Sequence, residues 1–389
     1  MTETPQPQQA YISKVHLKGY KSIRDLEIDF KPGLNIIIGP NGSGKTNFLE
    51  GLIDLALIPK FKDKSFISVE FYFGNNNIIL WSIEIIKVNQ IDFSFVEKLS
   101  IGKSTVSRNG NLLRNFDDVF ESYTFLKEYL KQDFYKIFLP VKIDFGIIQN
   151  VSFLDSSSNF KINFNNKTVD GRYWQSPFEK NIFNDFDFSK NKFEKFNDKQ
   201  FIKELSIKPI LIEKLKKFTP IVDLKIKQPF LFNKLDSIKE VNIDNLFFDF
   251  KINNSWHPWK ELSDGTKRLF NIVTQILSRK CLILIEEPEL GIHPDQLYKL
   301  MDFLKEQSKE KQIIITTHSP DVLNILGADE LDRIIVTKND NEKGTIMRKL
   351  QLPQIEKARR YMESAGLFLS DYWVHSDLEA AAYETEEED

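Results

Sequence analysis

Short apolar runs bounded by polar turns mark both ends of this chain. Leu34-Asn35-Ile36-Ile37-Ile38 near the start, and Cys281-Leu282-Ile283-Leu284-Ile285 and Gln312-Ile313-Ile314-Ile315-Thr316-Thr317 near the end, read as strands buried on both faces. Tyr11 to His16 and Leu26 to Phe30 add two more strand segments. Val69 to Phe73 and Ile78 to Ile86 flank the turn Gly74-Asn75-Asn76-Asn77 and predict a hairpin. Helical spacing appears in Asn47-Phe48-Leu49-Glu50-Gly51-Leu52-Ile53 and in the stripe Leu269, Val273, Ile276 and Leu277. Between these ends, Phe201-Ile202-Lys203-Glu204-Leu205 through Ile212-Glu213-Lys214-Leu215 reads as amphipathic helix. No heptad register persists over several turns, and no internal repeat is visible.

The pattern predicts an α/β fold whose sheet is built from both ends of the chain, with an inserted mixed or helical lobe. The expected divisions are a disordered tail at 1–10, the first half of the core at 11–95, the lobe at 96–245, the second half of the core at 246–376 and an acidic tail at 377–389.

Chemistry enters at the loop between the first buried strand and its helix. Gly39-Pro40-Asn41-Gly42-Ser43-Gly44-Lys45-Thr46 fits the phosphate-binding pattern G-x-x-x-x-G-K-[ST] at every fixed position. Its glycines let backbone N–H groups turn inward around a phosphate chain, and the helix start adds partial positive charge. Lys45 is expected to reach the β- and γ-phosphates and Thr46 to hold Mg²⁺. The alternative, a chance glycine-rich turn, would not come with strand, loop and helix in order.

A second site ends the strand at 281–285 in two adjacent carboxylates, Glu286 and Glu287. Like charges side by side repel and need a reason. A Mg²⁺–nucleotide site supplies one, with Glu286 on the metal or its water shell and Glu287 polarising the attacking water. The next strand delivers His318 to the same sheet edge, as a γ-phosphate contact or as an ordinary surface histidine. The third element is Ser263-Asp264-Gly265 at a helix start, which also reads as a simple N-cap.

With these residues the chain resembles the SMC/RecF/OLD branch of ABC-type ATPases, and most of all the compact bacterial ATPases of phage-defence and OLD-like systems, such as that of PARIS. The resemblance rests on Lys18-Gly19-Tyr20-Lys21-Ser22-Ile23, the phosphate loop, Trp259-Lys260-Glu261-Leu262-Ser263-Asp264-Gly265-Thr266, Glu286-Glu287-Pro288-Glu289-Leu290-Gly291-Ile292-His293-Pro294 and Thr316-Thr317-His318-Ser319-Pro320. It covers roughly 12–60 and 255–375. It implies an ABC-type P-loop core that binds ATP and Mg²⁺ and hydrolyses ATP slowly. It also implies a homodimer or higher homo-oligomer in which Ser263, Asp264 and Gly265 of one subunit complete the phosphate site of another. Asp264 and Glu286 depart from the transporter pattern of Gly and Asp, and both departures are familiar in the OLD-like branch.

Composition narrows the partners. The net charge of −3 predicts no strong global attraction to nucleic acid. Yet Lys190 to Lys239 holds 13 lysines against 6 acids, with phenylalanines interleaved, and is a candidate DNA or partner patch or else a solvated face over an aromatic core. The single cysteine, Cys281, suits a reducing cytosol, and the apolar stretch Ile78 to Ile86 is far too short to span a membrane. A cytoplasmic regulatory ATPase controlling a separately encoded effector, plausibly a nuclease, is the leading expectation, because too few residues follow His318 for a nuclease domain. A RecF-like DNA-binding ATPase of repair or maintenance is the alternative. A transporter subunit is disfavoured by the Glu-Glu-Pro-Glu string.

Overall fold

The structure, a computed structural model, describes residues 11–57, 65–73, 77–87, 93–101, 104–111, 141–143, 158–163, 207–227, 231–235, 240–277, 282–365 and 368–376. The tails at 1–10 and 377–389, Cys281, the hairpin turn at 74–76 and the basic stretch up to 206 lie outside them. The chain divides into two compact units. One comprises 1–143, 280–290 and 304–389, the other 144–279 and 291–303.

The first unit is built on a 12-stranded sheet among the described residues. Its strands are β1 (Tyr11–Tyr20), β2 (Ile23–Asp29), β3 (Leu34–Ile38), β4 (Phe66–Phe73), β5 (Asn77–Lys87), β6 (Phe93–Ile101), β7 (Ser104–Asn111), β8 (Val141–Ile143), β14 (Ile283–Glu286), β15 (Ile313–Thr317), β16 (Ile334–Asp340) and β17 (Gly344–Lys349). Their order is β7-β6-β5-β4-β1-β2-β17-β16-β3-β15-β14-β8. Strands from both ends of the chain therefore interleave: β3 lies between β16 and β15.

Two regimes meet in this sheet. From β16 to β8 every pairing is parallel, and β3, β14 and β15 are apolar runs buried along nearly their whole length. A parallel sheet covered on both faces requires this. From β7 to β2 the pairings are antiparallel, and β2 alternates buried and exposed positions in part, as a half-covered sheet does. The predicted hairpin is present, with Phe73 opposite Asn77. β6 and β7 fall within the expected lobe segment of 96–245 for most of their length, yet they extend this sheet.

Helix α1 (Lys45–Leu57) buries Phe48, Leu49 and Leu52 in a core shared with Leu17, Tyr20, Leu284 and Ile314. At the C-terminal end of this unit α5 (Leu352–Ala365) precedes α6 (Leu369–His375), which docks through Leu369 and Trp373. Asn324 and Ser370 bind reciprocally. The Ser370 N–H donates to Asn324 Oδ1, and Asn324 Nδ2 donates to Ser370 Oγ, each at 2.9 Å.

The second unit holds a five-stranded antiparallel sheet, in which β12 (Glu240–Ile252) pairs with β10 (Ile221–Lys227), β11 (Leu231–Leu235), β13 (Ser255–Pro258) and β9 (Ser158–Asn163). It also holds α2 (Pro209–Phe218), α3 (Asp264–Leu277) and most of α4 (Pro294–Ser308). The amphipathic segment is helical from Pro209, with Leu211, Leu215 and Phe218 buried and Lys216 and Lys217 exposed. Phe250, Trp259 and Phe270 form a mutual ring cluster with centroids 5.1–5.7 Å apart, fixing the start of α3 against β12.

Candidate nucleotide site

In a parallel sheet all strands run the same way, so their C-terminal ends open on one edge, where ligands of α/β folds bind. Here that edge presents Gly39 after β3, Glu286 and Glu287 at and after the tip of β14, and His318 after β15. Register makes the convergence specific: Glu286 lies opposite Thr316, and Thr317 opposite Ile38.

The loop from Gly39 to Thr46 has the backbone its sequence demands. Gly42 and Gly44 have φ of 78° and 98°, in the region that favours glycine. The loop is tied to β15 by Gly39 N–H to the Thr317 carbonyl, at 3.3 Å. Lys45 is buried, and its Nζ donates to the carbonyls of Gly39 (2.8 Å) and Pro40 (2.9 Å). The ammonium therefore sits inside the curve of the loop, where a phosphate chain would run. Ser43 Oγ is buried without a hydrogen-bond partner. Such an orphan in a loop that aims donors inward fits a missing oxyanion ligand.

Thr46 and Glu286, both expected at a metal, are in contact: the Thr46 hydroxyl donates to Glu286 Oε1. A hydroxyl and a carboxylate side by side next to a phosphate loop are the hard oxygen donors that Mg²⁺ takes. The residues present fit the ion.

Glu287 has φ of 44°, a left-handed backbone costly for a residue with a Cβ. Its N–H donates to the Thr316 carbonyl at 2.7 Å, which holds the turn. Its Oε1 lies 3.4 Å from His318 Nδ1, so the two expected catalytic groups are neighbours. A third carboxylate, Glu289, also reaches His318 and binds Thr317. Glu289 lies in the Glu-Glu-Pro-Glu string, where spacing alone marks it for no role.

Ser263, Asp264 and Gly265 belong to the second unit. Ser263 Oγ accepts the Thr266 N–H at 3.2 Å and its carbonyl accepts Lys267 N–H at 3.0 Å, so it is the N-cap of α3. Asp264 is exposed. Gly265 approaches the Gly291 carbonyl so closely that an added Cβ would lie 2.6 Å from that oxygen. Glycine at 265 is thus required by packing.

The α/β sheet thus gathers the phosphate loop, the two carboxylates and the histidine along one edge. Residues 34–324 match the family described as "AAA domain, putative AbiEii toxin, Type IV TA system", and the chain belongs to that family. Among solved structures it is similar to an Smc head bound to the C-winged helix domain of ScpA, with a TM-score of 0.52, 17% identity, and 89% of this chain and 99% of that one covered. It is also similar to the Pyrococcus furiosus Smc head with an extended coiled coil bound to the C-terminal domain of ScpA, with a TM-score of 0.51, 16% identity, and 92% and 100% covered. Local similarity joins it to the DNA replication and repair protein RecF. The Desulfitobacterium hafniense protein is 54% identical over 41 residues, 10% of this chain and 11% of that protein. The Lactococcus lactis subsp. cremoris protein is 33% identical over 78 residues, 20% and 19%. The matched parts thus cover under a fifth of these relatives. No helix among the described residues is long and apolar enough to cross a membrane.

Proposed function

We propose that this chain binds ATP with Mg²⁺, hydrolyses it slowly, and couples nucleotide state to a separately encoded effector in bacterial anti-phage defence. The observation that carries the ATPase reading is the meeting of Lys45, Thr46, Glu286, Glu287 and His318 along one sheet edge.

Each residue has a task that its position supports. Backbone N–H groups of 39–46 and the start of α1 receive the phosphate oxygens. Lys45 exchanges two carbonyl partners for phosphate oxygens. Thr46 and Glu286 hold Mg²⁺, which when bound neutralises charge on the phosphates. Glu287 orients and polarises the attacking water, and His318 contacts the γ-phosphate side. The left-handed turn at Glu287 aims its carboxylate, and strain of this kind gathers at functional sites. Ser263, Asp264 and Gly265 complete a second subunit's site in a nucleotide-sandwich dimer.

The effector reading is supported by the family description, which names a toxin and a toxin–antitoxin system. Phosphate release by purified protein, compared with Lys45→Ala, tests the ATPase. Recovery of one defined partner that differs between ATP and nucleotide-free states tests the coupling.

A second reading is favoured by the RecF similarity and by the exposed Lys216 and Lys217 on α2: a DNA-binding ATPase of repair or maintenance. Duplex binding that weakens steeply with salt and with charge reversal at both lysines would select it.

A further inference from the structure

Glu289 is the polar side chain whose surroundings call for a function not yet assigned. Only 9% of it is exposed. Oε1 accepts the Thr317 hydroxyl at 2.5 Å and the His318 backbone N–H at 3.3 Å, and it lies 3.6 Å from His318 Nδ1. Thr317 Oγ1 in turn accepts the Ser319 N–H at 2.9 Å. Oε2 is buried with no hydrogen-bond partner. A core does not gain from a half-satisfied carboxylate, which is costly to bury. Glu287 Oε1 stands 3.4 Å from the same ring nitrogen, so two carboxylates flank Nδ1.

We propose that Glu289 is a positioning residue, a carboxylate that holds the backbone and ring of His318 beside Glu287. The inference rests on the hydrolysis reading above. Glu289 touches neither water nor nucleotide in it and acts through His318. With two carboxylates beside Nδ1, Nε2 is the ring nitrogen left for a ligand. Histidines that work at metals and nucleophiles are commonly oriented in this way by an outer carboxylate. Thr317 is part of the same clamp, because its hydroxyl bridges Glu289 to the residue after His318.

The test uses the full chain. Glu289→Ala removes the acceptor, while Glu289→Gln keeps an oxygen for Thr317 and the His318 amide at nearly the same size. Glu289→Ala should lower kcat about 10- to 100-fold with KM for ATP changed less than about threefold, and Glu289→Gln should restore part of the loss. Combined with His318→Ala, Glu289→Ala should add nothing to the single histidine change. An additive double variant, a loss confined to KM, or a Gln variant no better than Ala would overturn the proposal. A second readout needs no turnover. With histidine-selective ¹⁵N labelling there are five amides to follow, and the His318 amide proton should move upfield in Glu289→Ala. An unmoved His318 resonance overturns the assignment. Wild-type protein lacking Lys45-dependent turnover would instead sink the hydrolysis reading, leaving the amide shift to judge Glu289 by itself.

Discussion

The Thr46 hydroxyl donates directly to the Glu286 carboxylate, joining the first turn of α1 to the tip of β14. The sequence places these residues in opposite halves of the chain, and β15 between β3 and β14 brings the two strand ends to one edge. If both hold one ion, their effects must be shared. Thr46→Ala and Glu286→Gln should each raise the Mg²⁺ needed for ATP binding by about tenfold or more, and the double variant should fall short of the product of the two. Titrating Mg²⁺ against a fluorescent ATP analogue measures this. Fully multiplicative effects would show that the residues do not share a ligand.

Lys45→Ala removes a buried ammonium that donates to the Gly39 and Pro40 carbonyls. Charge-assisted contacts to phosphate are the strong ones, so ATP affinity should fall by about 10- to 100-fold and turnover should vanish. Calorimetric titration and phosphate release check both. Undiminished turnover in a folded Lys45→Ala protein would reject the site.

Glu287→Gln keeps the side-chain shape and removes the charge. ATP should bind and persist while kcat falls by about 100-fold or more. Glu287→Gly should lose turnover equally, yet its melting temperature should not drop. Glycine relieves the left-handed strain at φ 44°, which offsets its larger unfolded-state entropy. A Gly variant markedly less stable than wild type would mean that the turn is held by the side chain rather than strained against it.

The core strands and the phosphate loop are legible in the sequence because their cause is local. A strand buried on both faces must be apolar throughout, and a loop wrapped on phosphate must have glycine at fixed places. β1 and β2 are legible only in part. Tyr11 to His16 and Leu26 to Phe30 are the expected segments, whereas β1 runs to Tyr20 and β2 starts at Ile23. The missing stretches mix buried positions such as Tyr20 and Ile23 with exposed charge pairs such as Lys18 with Asp25 at 3.2 Å, and a cross-strand pair has no signature within either strand. β6 and β7 carry the same difficulty as the outer strands at one end of the sheet. Glu289 stands in plain view in the Glu-Glu-Pro-Glu string, but its role depends on Thr317, 28 positions later, and no spacing rule connects them.

Glu330 gives a pH-dependent prediction outside the site. Burial alone would raise its carboxyl, but the Gly327 N–H and the Lys305 ammonium outweigh burial and hold it below the usual glutamate range. Lys305 also donates to the Ile325 carbonyl at 2.7 Å, so the carboxylate anchors the turn that follows the segment Pro320–Ile325. A depressed folded-state value means that the charged form stabilises the fold above the unfolded value near 4.5, and that this contribution is lost as pH falls through the folded value. Glu330→Gln should therefore cost about 1–2 kcal/mol at neutral pH, with the gap to wild type closing in acid. Urea melts at pH 7 and pH 3.5 check it. A gap that widens toward acid would reverse the assigned sign.

The dimer prediction turns on Ser263. Its hydroxyl caps α3, and a cap occupies the same helix start that would face a phosphate, so both duties fit one residue. If the Ser263, Asp264 and Gly265 segment serves a partner's nucleotide, Lys45→Ala protein and Ser263→Arg protein carry lesions in different halves of a composite site. Each alone should be inactive. In a mixed dimer the Lys45→Ala subunit still supplies an intact Ser263, and the Ser263→Arg subunit still supplies an intact phosphate loop, so one whole site is rebuilt. Equimolar mixing should thus restore activity toward about a quarter of wild type, since half the dimers are mixed and each has one of two sites. Phosphate release across a mixing series measures it, with subunit exchange confirmed by differently tagged copies. A flat, inactive series with exchange complete would reject independent trans-completed sites, and activity in Ser263→Arg protein by itself would remove the serine from the nucleotide altogether.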